Sequence, residues 1–165
     1  MGALLDSMGE LAEARPYYAR ALAIRERVSG AEHPDTATSL NNMGALLQAM
    51  GELAEARPYY ARALAIREKV LGAEHPDTAQ SLNNMGALLY AIGELAEARP
   101  YVERALAIRE KVLGAEHPDT AKAWTTWAHC CKRWGTWPKH GRTTPAPSPS
   151  AKRCWGRSTP TRPPA

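Results

Sequence analysis

One stretch of this chain, residues 36–77, is restated before and after itself, and that recurrence constrains the fold more than any other feature. Met1, Met43 and Met85 open nearly identical runs of sequence, so the period is 42 residues. A self-similar period of this size marks a solenoid, in which each unit buries its apolar face only against its neighbours. The expected class is all-α, and such an architecture points to a binding scaffold.

Within a unit the apolar residues recur at spacings of three and four, the helical period. Leu40, Met43, Leu47 and Met50 form a stripe on a first helix over 36–50, which Gly51 ends. Leu53, Ala56, Tyr60, Ala63, Leu64 and Val70 form the stripe of a second helix over 52–71, matched by Leu11, Ala14, Tyr18, Ala21, Leu22 and Val28 over 10–29. Gly9 and Gly30 suit the left-handed position that closes a helix, and Gly44 is placed for a close helix approach. Pro16, Pro58 and Pro100 fall past the first turn of each second helix, where each removes one intrahelical bond and is expected to kink it without breaking it. Residues 1–8 match only the second half of a first helix, so the first unit, 1–35, reads as truncated.

Units are joined by Ala-Glu-His-Pro-Asp-Thr at 31–36, 73–78 and 115–120. Proline biases the preceding His33 to an extended backbone, and Asp35 or Thr36 is expected to cap the helix that follows. His-Pro-Asp is also the signature of J-domain cochaperones. Its threefold recurrence as a joint argues for the structural role.

Leu40, Met43, Gly44, Leu47, Gly51, Leu53, Ala56, Tyr60 and Ala63 resemble the tetratricopeptide repeat pattern at its internal spacing. Leu-Asn-Asn at 40–42 and 82–84, Ala-Leu-Ala-Ile-Arg-Glu at 63–68 and Gly-Ala-Glu-His-Pro-Asp at 72–77 resemble the kinesin light chain type of that repeat, which also occurs in bacterial multidomain signalling proteins. The resemblance implies a right-handed α-solenoid of antiparallel helix pairs over 1–121, with units at 36–77 and 78–121. It implies a concave wall formed by the first helices, binding a peptide or partner protein. Carried over position by position, that wall comprises Thr38, Asn41, Ala45 and Gln48, then Gln80, Asn83, Ala87 and Tyr90, with Ala3 and Asp6 in the truncated unit.

Each candidate has a plainer reading. Asn41 and Asn83 can bond a peptide backbone, since an amide side chain both donates and accepts, or can bond only to the neighbouring helix, as can Asn42 and Asn84. Gln48 and Tyr90 occupy one repeat position with different chemistry, which suits either ligand preference or drift. Arg57, Arg62 and Arg67 and their counterparts in the other units can attract an acidic peptide or form a solvated face paired with Glu55 and Glu68. In Tyr17-Tyr18 and Tyr59-Tyr60 one ring of each pair is expected in the core. No nucleophile with a positioned base, no Gly-rich phosphate loop and no metal-ligand spacing occurs in the repeats, so neither an enzyme nor a cofactor is expected.

Composition changes abruptly near Ala121. Residues 1–121 hold 12 Lys and Arg against 17 Asp and Glu, whereas 122–165 hold nine Lys and Arg and no carboxylate. All five Trp and all three Cys lie beyond that boundary, and the region past about residue 137 reads as disordered. His129, Cys130, Cys131 and Cys154 fit no zinc spacing. The basic tail would attract polyanions nonspecifically.

The genetic code offers an origin for it. Residues 124–128 back-translate to TGG ACN ACN TGG GCN, whose shifted triplets can encode Asp-Asn-Met-Gly. Residues 135–146 allow Asn-Leu-Ala-Glu-Ala-Arg-Pro-Tyr-Tyr-Ala-Arg, and 146–156 allow Ala-Leu-Ala-Ile-Arg-Glu-Lys-Val-Leu-Gly. The tail thus reads as a fourth repeat translated out of frame after a base lost near codons 121–122.

The remaining expectations follow. Residues 122–134 place Trp124, Trp127 and Cys131 at helical spacing and can form an improvised covering helix; without it, Leu106, Ile108 and Val112 lack cover. Uncapped ends predict self-association or marginal stability. No apolar run approaches the roughly 20 residues of a membrane span, and the expected compartment is the cytoplasm. A structural spacer within a larger signalling protein is the alternative to a ligand-binding scaffold.

Overall fold

The computed structural model describes residues 9–134, and of 129–134 the backbone alone. Six helices follow one another: α1 Leu11–Val28, α2 Pro34–Ala49, α3 Leu53–Val70, α4 Pro76–Ile92, α5 Leu95–Leu113 and α6 Pro118–Trp134. Each packs on the next, and they form the tetratricopeptide-type solenoid of antiparallel pairs, α2 with α3 and α4 with α5. The half-helix expected at 1–8 with Ala3 and Asp6, and the tail beyond 134 with Cys154 and the disorder expected there, lie outside the described residues, as do the side chains of His129, Cys130 and Cys131.

Local chemistry sets the helix bounds. Gly51 takes φ +83°, its N–H bonds the Gln48 carbonyl and the Glu52 N–H reaches back to Leu47, so two carbonyls left over at the end of α2 are satisfied by a turn that only glycine enters freely. The helix starts correct the sequence expectation. α2 and α4 begin at Pro34 and Pro76, and the cap is neither Asp35 nor Thr36 but His33, whose Nδ1 accepts the Asp35 N–H at 3.1 Å. His75 and His117 do the same for Asp77 and Asp119. Proline at the first helical position requires the residue before it to be extended, which places the imidazole rather than the following side chains at the cap. Thr36, Thr78 and Thr120 are fully buried and donate to the carbonyls of Gly30, Gly72 and Gly114, tying each joint to the preceding loop. α1, α3 and α5 run unbroken through Pro16, Pro58 and Pro100.

The core is a set of clusters along the array, the largest of which runs through all of α1 to α5. Met43, Leu46, Leu47, Ala56 and Tyr60 join Met85, Leu88, Leu89 and Ala98 in one, while Leu64 of α3 crosses to Ala79, Leu82, Ala105 and Ile108 in another. Tyr60 is buried and Tyr59 half-buried, as Tyr17 is exposed beside a half-buried Tyr18. Val28 and Val70, assigned above to the apolar stripe, are exposed; Ile66 takes the buried position instead. Leu106 and Ile108 are covered after all. Leu106 packs with Val102 against Ala123 and Trp127 of α6, and Ile108 sits against α4, leaving Val112 exposed.

Candidate functional site: the first-helix face

The first helices α2 and α4 lie side by side and place the candidate residues on a shared face. Most of these polar groups are already engaged within the protein. Thr38 accepts from Arg67 at 3.2 Å and donates to the Pro34 carbonyl. Gln80 accepts from Arg109 and donates to Asn84 at 2.8 Å; Asn84 in turn donates to Asn41 at 2.9 Å. A continuous chain of hydrogen bonds thus runs from α5 through α4 to α2. The reading in which asparagines bond across to a neighbouring helix holds for Asn41 and Asn84. Gln48 accepts from the Tyr60 hydroxyl at 3.1 Å, and Tyr90 packs against the Val102, Leu106 and Trp127 cluster. Ala45 is exposed and Ala87 half-buried, which leaves the centre of the face shallow.

Among these side chains, the amide nitrogens of Asn41 and Gln48 keep no partner among the described residues, and the carbonyl oxygen of Asn83 is buried and unpaired. The last has a structural cause. Asn84 donates to Asn41, and the residue that would donate to Asn83 in the same way is Thr126, whose hydroxyl bonds its own helix at the Lys122 carbonyl instead.

The solvated-face reading holds for two of the three arginine positions, since Glu55 pairs with Arg15 and Glu68 with Arg104, the counterparts of Arg57 and Arg62, and fails at the Arg67 position. Arg67 and Arg109 are only 6% and 2% exposed, and hold the carbonyls of Asp77 and Asp119. Burial pushes both guanidinium groups below their ordinary range, opposed by the nearby Asp77 and Asp119. Arg67 also donates to Ser81, so the buried charge is met by several acceptors. Arg57 pairs not with its own helix but with Glu94 and Glu97 of α5, and Arg62 pairs with Glu26 of α1. These are bonds between successive second helices, invisible to spacing within one helix. Arg99 with Glu103 is a pair at the local i, i+4 spacing.

No group of three or more His, Cys, Asp or Glu converges as for a metal among the described residues, and no helix there is long and apolar enough to cross a membrane.

Comparison with known proteins agrees with this geometry. The tetratricopeptide repeat family matches residues 1–69, 37–111 and 77–139. No curated protein matches. Among solved structures, the chain is similar to the nearly identical TPR-like repeats of a candidate kinesin light chain from Podosopora anserina, with 27% identity and a TM-score of 0.75 over 81% of this chain and 64% of that one. It is also similar to BtubC (BKLC) from P. vanneervenii, with 26% identity and a TM-score of 0.77 over 99% of this chain and 65% of that one. The chain therefore spans just under two thirds of each of these structures. Repeats of this kind generally mediate protein–protein interaction. With its period, its helix pairs and these matches, the chain belongs to the tetratricopeptide repeat family, in its kinesin light chain-like form.

Proposed function

We propose that the chain is a protein-interaction scaffold whose first-helix face, the concave wall of the array, binds an extended segment of a partner protein. The observation that carries this reading is the pair of open amide donors on α2. Asn41 and Gln48 are each fixed through the side-chain oxygen, by Asn84 and by Tyr60, so each amide nitrogen is held in place and left unbonded. Rigid donors bind with little ordering cost. Seven residues separate them, two turns and ~10.5 Å along the helix, the length of about three residues of extended chain. Gln80, Asn83 and Tyr90 continue the surface on α4, with Thr38 at its edge; the small Ala45 and Ala87 leave room for the peptide's side chains.

Asn41→Asp with Gln48→Glu removes both donors while keeping the oxygens that Asn84 and Tyr60 use. Titration against an array of uncharged extended peptides should show binding by the wild type and loss in this variant, with the thermal midpoint unchanged. Equal binding by both proteins overturns the assignment of the face. No binding by the wild type supports a structural spacer.

A further inference from the structure

Hydrogen-bonding capacity on the first-helix face is one-sided. Thr38 accepts from Arg67 and donates to the Pro34 carbonyl, while the side-chain oxygens of Gln80 and Asn84 are taken by Arg109 and by Gln80. Those of Asn41 and Gln48 are taken by Asn84 and Tyr60, and that of Asn83 is buried. What the face still offers is amide N–H: the side-chain nitrogens of Asn41, Gln48 and Asn83 have no partner among the described residues. Asn42 keeps its oxygen, but as the repeat equivalent of Asn84, which bonds back to α2, it lies at the edge towards the preceding unit, away from α4.

The face is also uncharged. Residues 36–49 of α2 and 78–92 of α4 include no Asp, Glu, Lys or Arg. Arg67 and Arg109 reach Thr38 and Gln80 from the second helices, and both are buried.

A ligand that suits such a surface supplies acceptors, carries no charge and brings few donors. Each N–H pressed against the face finds no oxygen to meet it, and an unmet buried donor is costly. An ordinary extended segment carries an N–H on every residue. Proline keeps the carbonyl and has no N–H. Spacing separates the two cases as well. Asn41 and Gln48 stand on one stripe of α2, ~10.5 Å apart along the helix, with the exposed Ala45 between them. In a β-strand, carbonyls that point the same way recur at every second residue, ~6.7 or ~13.4 Å apart, and neither distance fits. In a polyproline II helix they recur at every third residue, ~9.3 Å apart, within about 1 Å of the donor spacing.

We propose that the segment bound at this face is proline-rich, uncharged and in the polyproline II conformation. Its carbonyls accept from Asn41 and Gln48, with Asn83 a third donor on α4, and its ring carbons lie on Ala45 and Ala87. This deepens the interaction-scaffold reading above and rests on it. A polyproline II helix is formed before it binds, so little chain entropy is lost on contact.

The test is fluorescence anisotropy of two labelled peptides of equal length, uncharged and blocked at both ends, titrated with the full chain. One repeats Ala-Pro-Pro and the other Ala-Ser-Thr. The proline peptide should bind about tenfold more tightly or better. Its Kd should change by less than about twofold between about 0.05 and 0.5 M NaCl, because no charge pair is screened. Asn41→Asp with Gln48→Glu should abolish that binding and leave the thermal midpoint unchanged. Equal binding of both peptides, or preference for Ala-Ser-Thr, with loss in the double variant overturns the proline assignment and keeps the interaction face. Proline-peptide binding that the double variant retains, or that salt removes, overturns the proposal by placing the contact elsewhere. Binding of neither peptide also overturns it, and takes the face reading with it only if the wider array of extended peptides binds nowhere either.

Discussion

The hydroxyl of Tyr60 donates to Oε1 of Gln48 at 3.1 Å, and the corresponding residues one repeat later have exchanged roles. Position 102, equivalent to 60, is valine, and position 90, equivalent to 48, is tyrosine. Tyr90 fills space beside Val102 that the aromatic ring of Tyr60 fills from the other helix. The difference between Gln48 and Tyr90, which in the sequence suits ligand preference or drift, is half of a compensated pair.

Tyr60→Phe should therefore destabilise the fold by ~1 kcal/mol through the lost hydrogen bond, measured by denaturant unfolding. It should also change the alkaline limb of the stability curve. Burial pushes the Tyr60 phenol up to about 12, above its unfolded value of 10.0. A pKa raised on folding contributes stability that is complete below pH 10 and fades as pH climbs towards 12. The phenylalanine variant should lose less stability across that window than the wild type; an identical slope would refute the assignment.

The same swap makes the two helical glycines unequal. A Cβ built on Gly44 meets the Tyr60 ring at 2.9 Å, whereas one on Gly86 runs closer still into Cγ2 of Val102 and meets the Ala98 carbonyl oxygen at 3.5 Å. Gly86→Ala should cost ~1–3 kcal/mol by overpacking, despite the better helix propensity of alanine. Adding Val102→Ala should recover part of that loss, so the two changes would be non-additive in a double-mutant cycle. Simple additivity would show that the contact is not the cause.

How much of this was legible in the sequence follows from where each interaction lies. The period, the helix pairs and the Gly44 approach were readable because they repeat at fixed intervals and rest on residue size. The arginine positions 57 and 62 pair with glutamates as read, but i, i+4 spacing looks for those partners within one helix, while they lie 36–40 residues away on the neighbouring second helices. Those distances have meaning only once the units are stacked. Val70 was assigned to the stripe and Ile66 missed because a strict three-four spacing drifts around a five-turn helix. The histidine caps had a readable signal: proline at the first helical position makes the residue before it the cap, whatever its side chain. Of the candidate site, the positions could be read but not their occupancy. That the side-chain oxygens of Gln48 and Asn41 are already taken depends on Tyr60 and Asn84 across the interface.

The cap role gives a clean pair of substitutions at a joint. His75 Nδ1 accepts the Asp77 N–H at 3.1 Å while its own N–H bonds the Gly72 carbonyl. His75→Ala should cost ~1 kcal/mol, and His75→Asn, which offers an oxygen at the same reach, should restore most of it. Thermal melts of the two variants decide it. Equal losses in both would assign the imidazole to packing rather than to the cap.

The unmet groups at the C-terminal end bear on the origin of the tail. Among the described residues, Asn83 Oδ1 and Glu110 Oε1 are buried without a partner and Glu116 forms no ion pair; the repeat supplies the partners of the equivalent residues from positions equivalent to 126, 146 and 153, and those of Arg57 from positions that include the equivalent of 139. The chain has Thr126, Lys139, Ala146 and Arg153 there. Shifted by one base, the same coding sequence allows asparagine at 126, glutamate at 139, arginine at 146 and lysine at 153, the residues that would complete all four interactions. Free third bases make one such coincidence cheap; four at ladder positions fixed by independent contacts are a stronger requirement. The expected result of sequencing source DNA across codons 118–124, with the mass of the native C-terminal peptide, is an additional base and a fourth repeat in place of the basic tail. In that protein α5 would be covered in cis. If the reading frame stands as given, the tail is genuine, and Glu110 keeps its buried, unpaired oxygen.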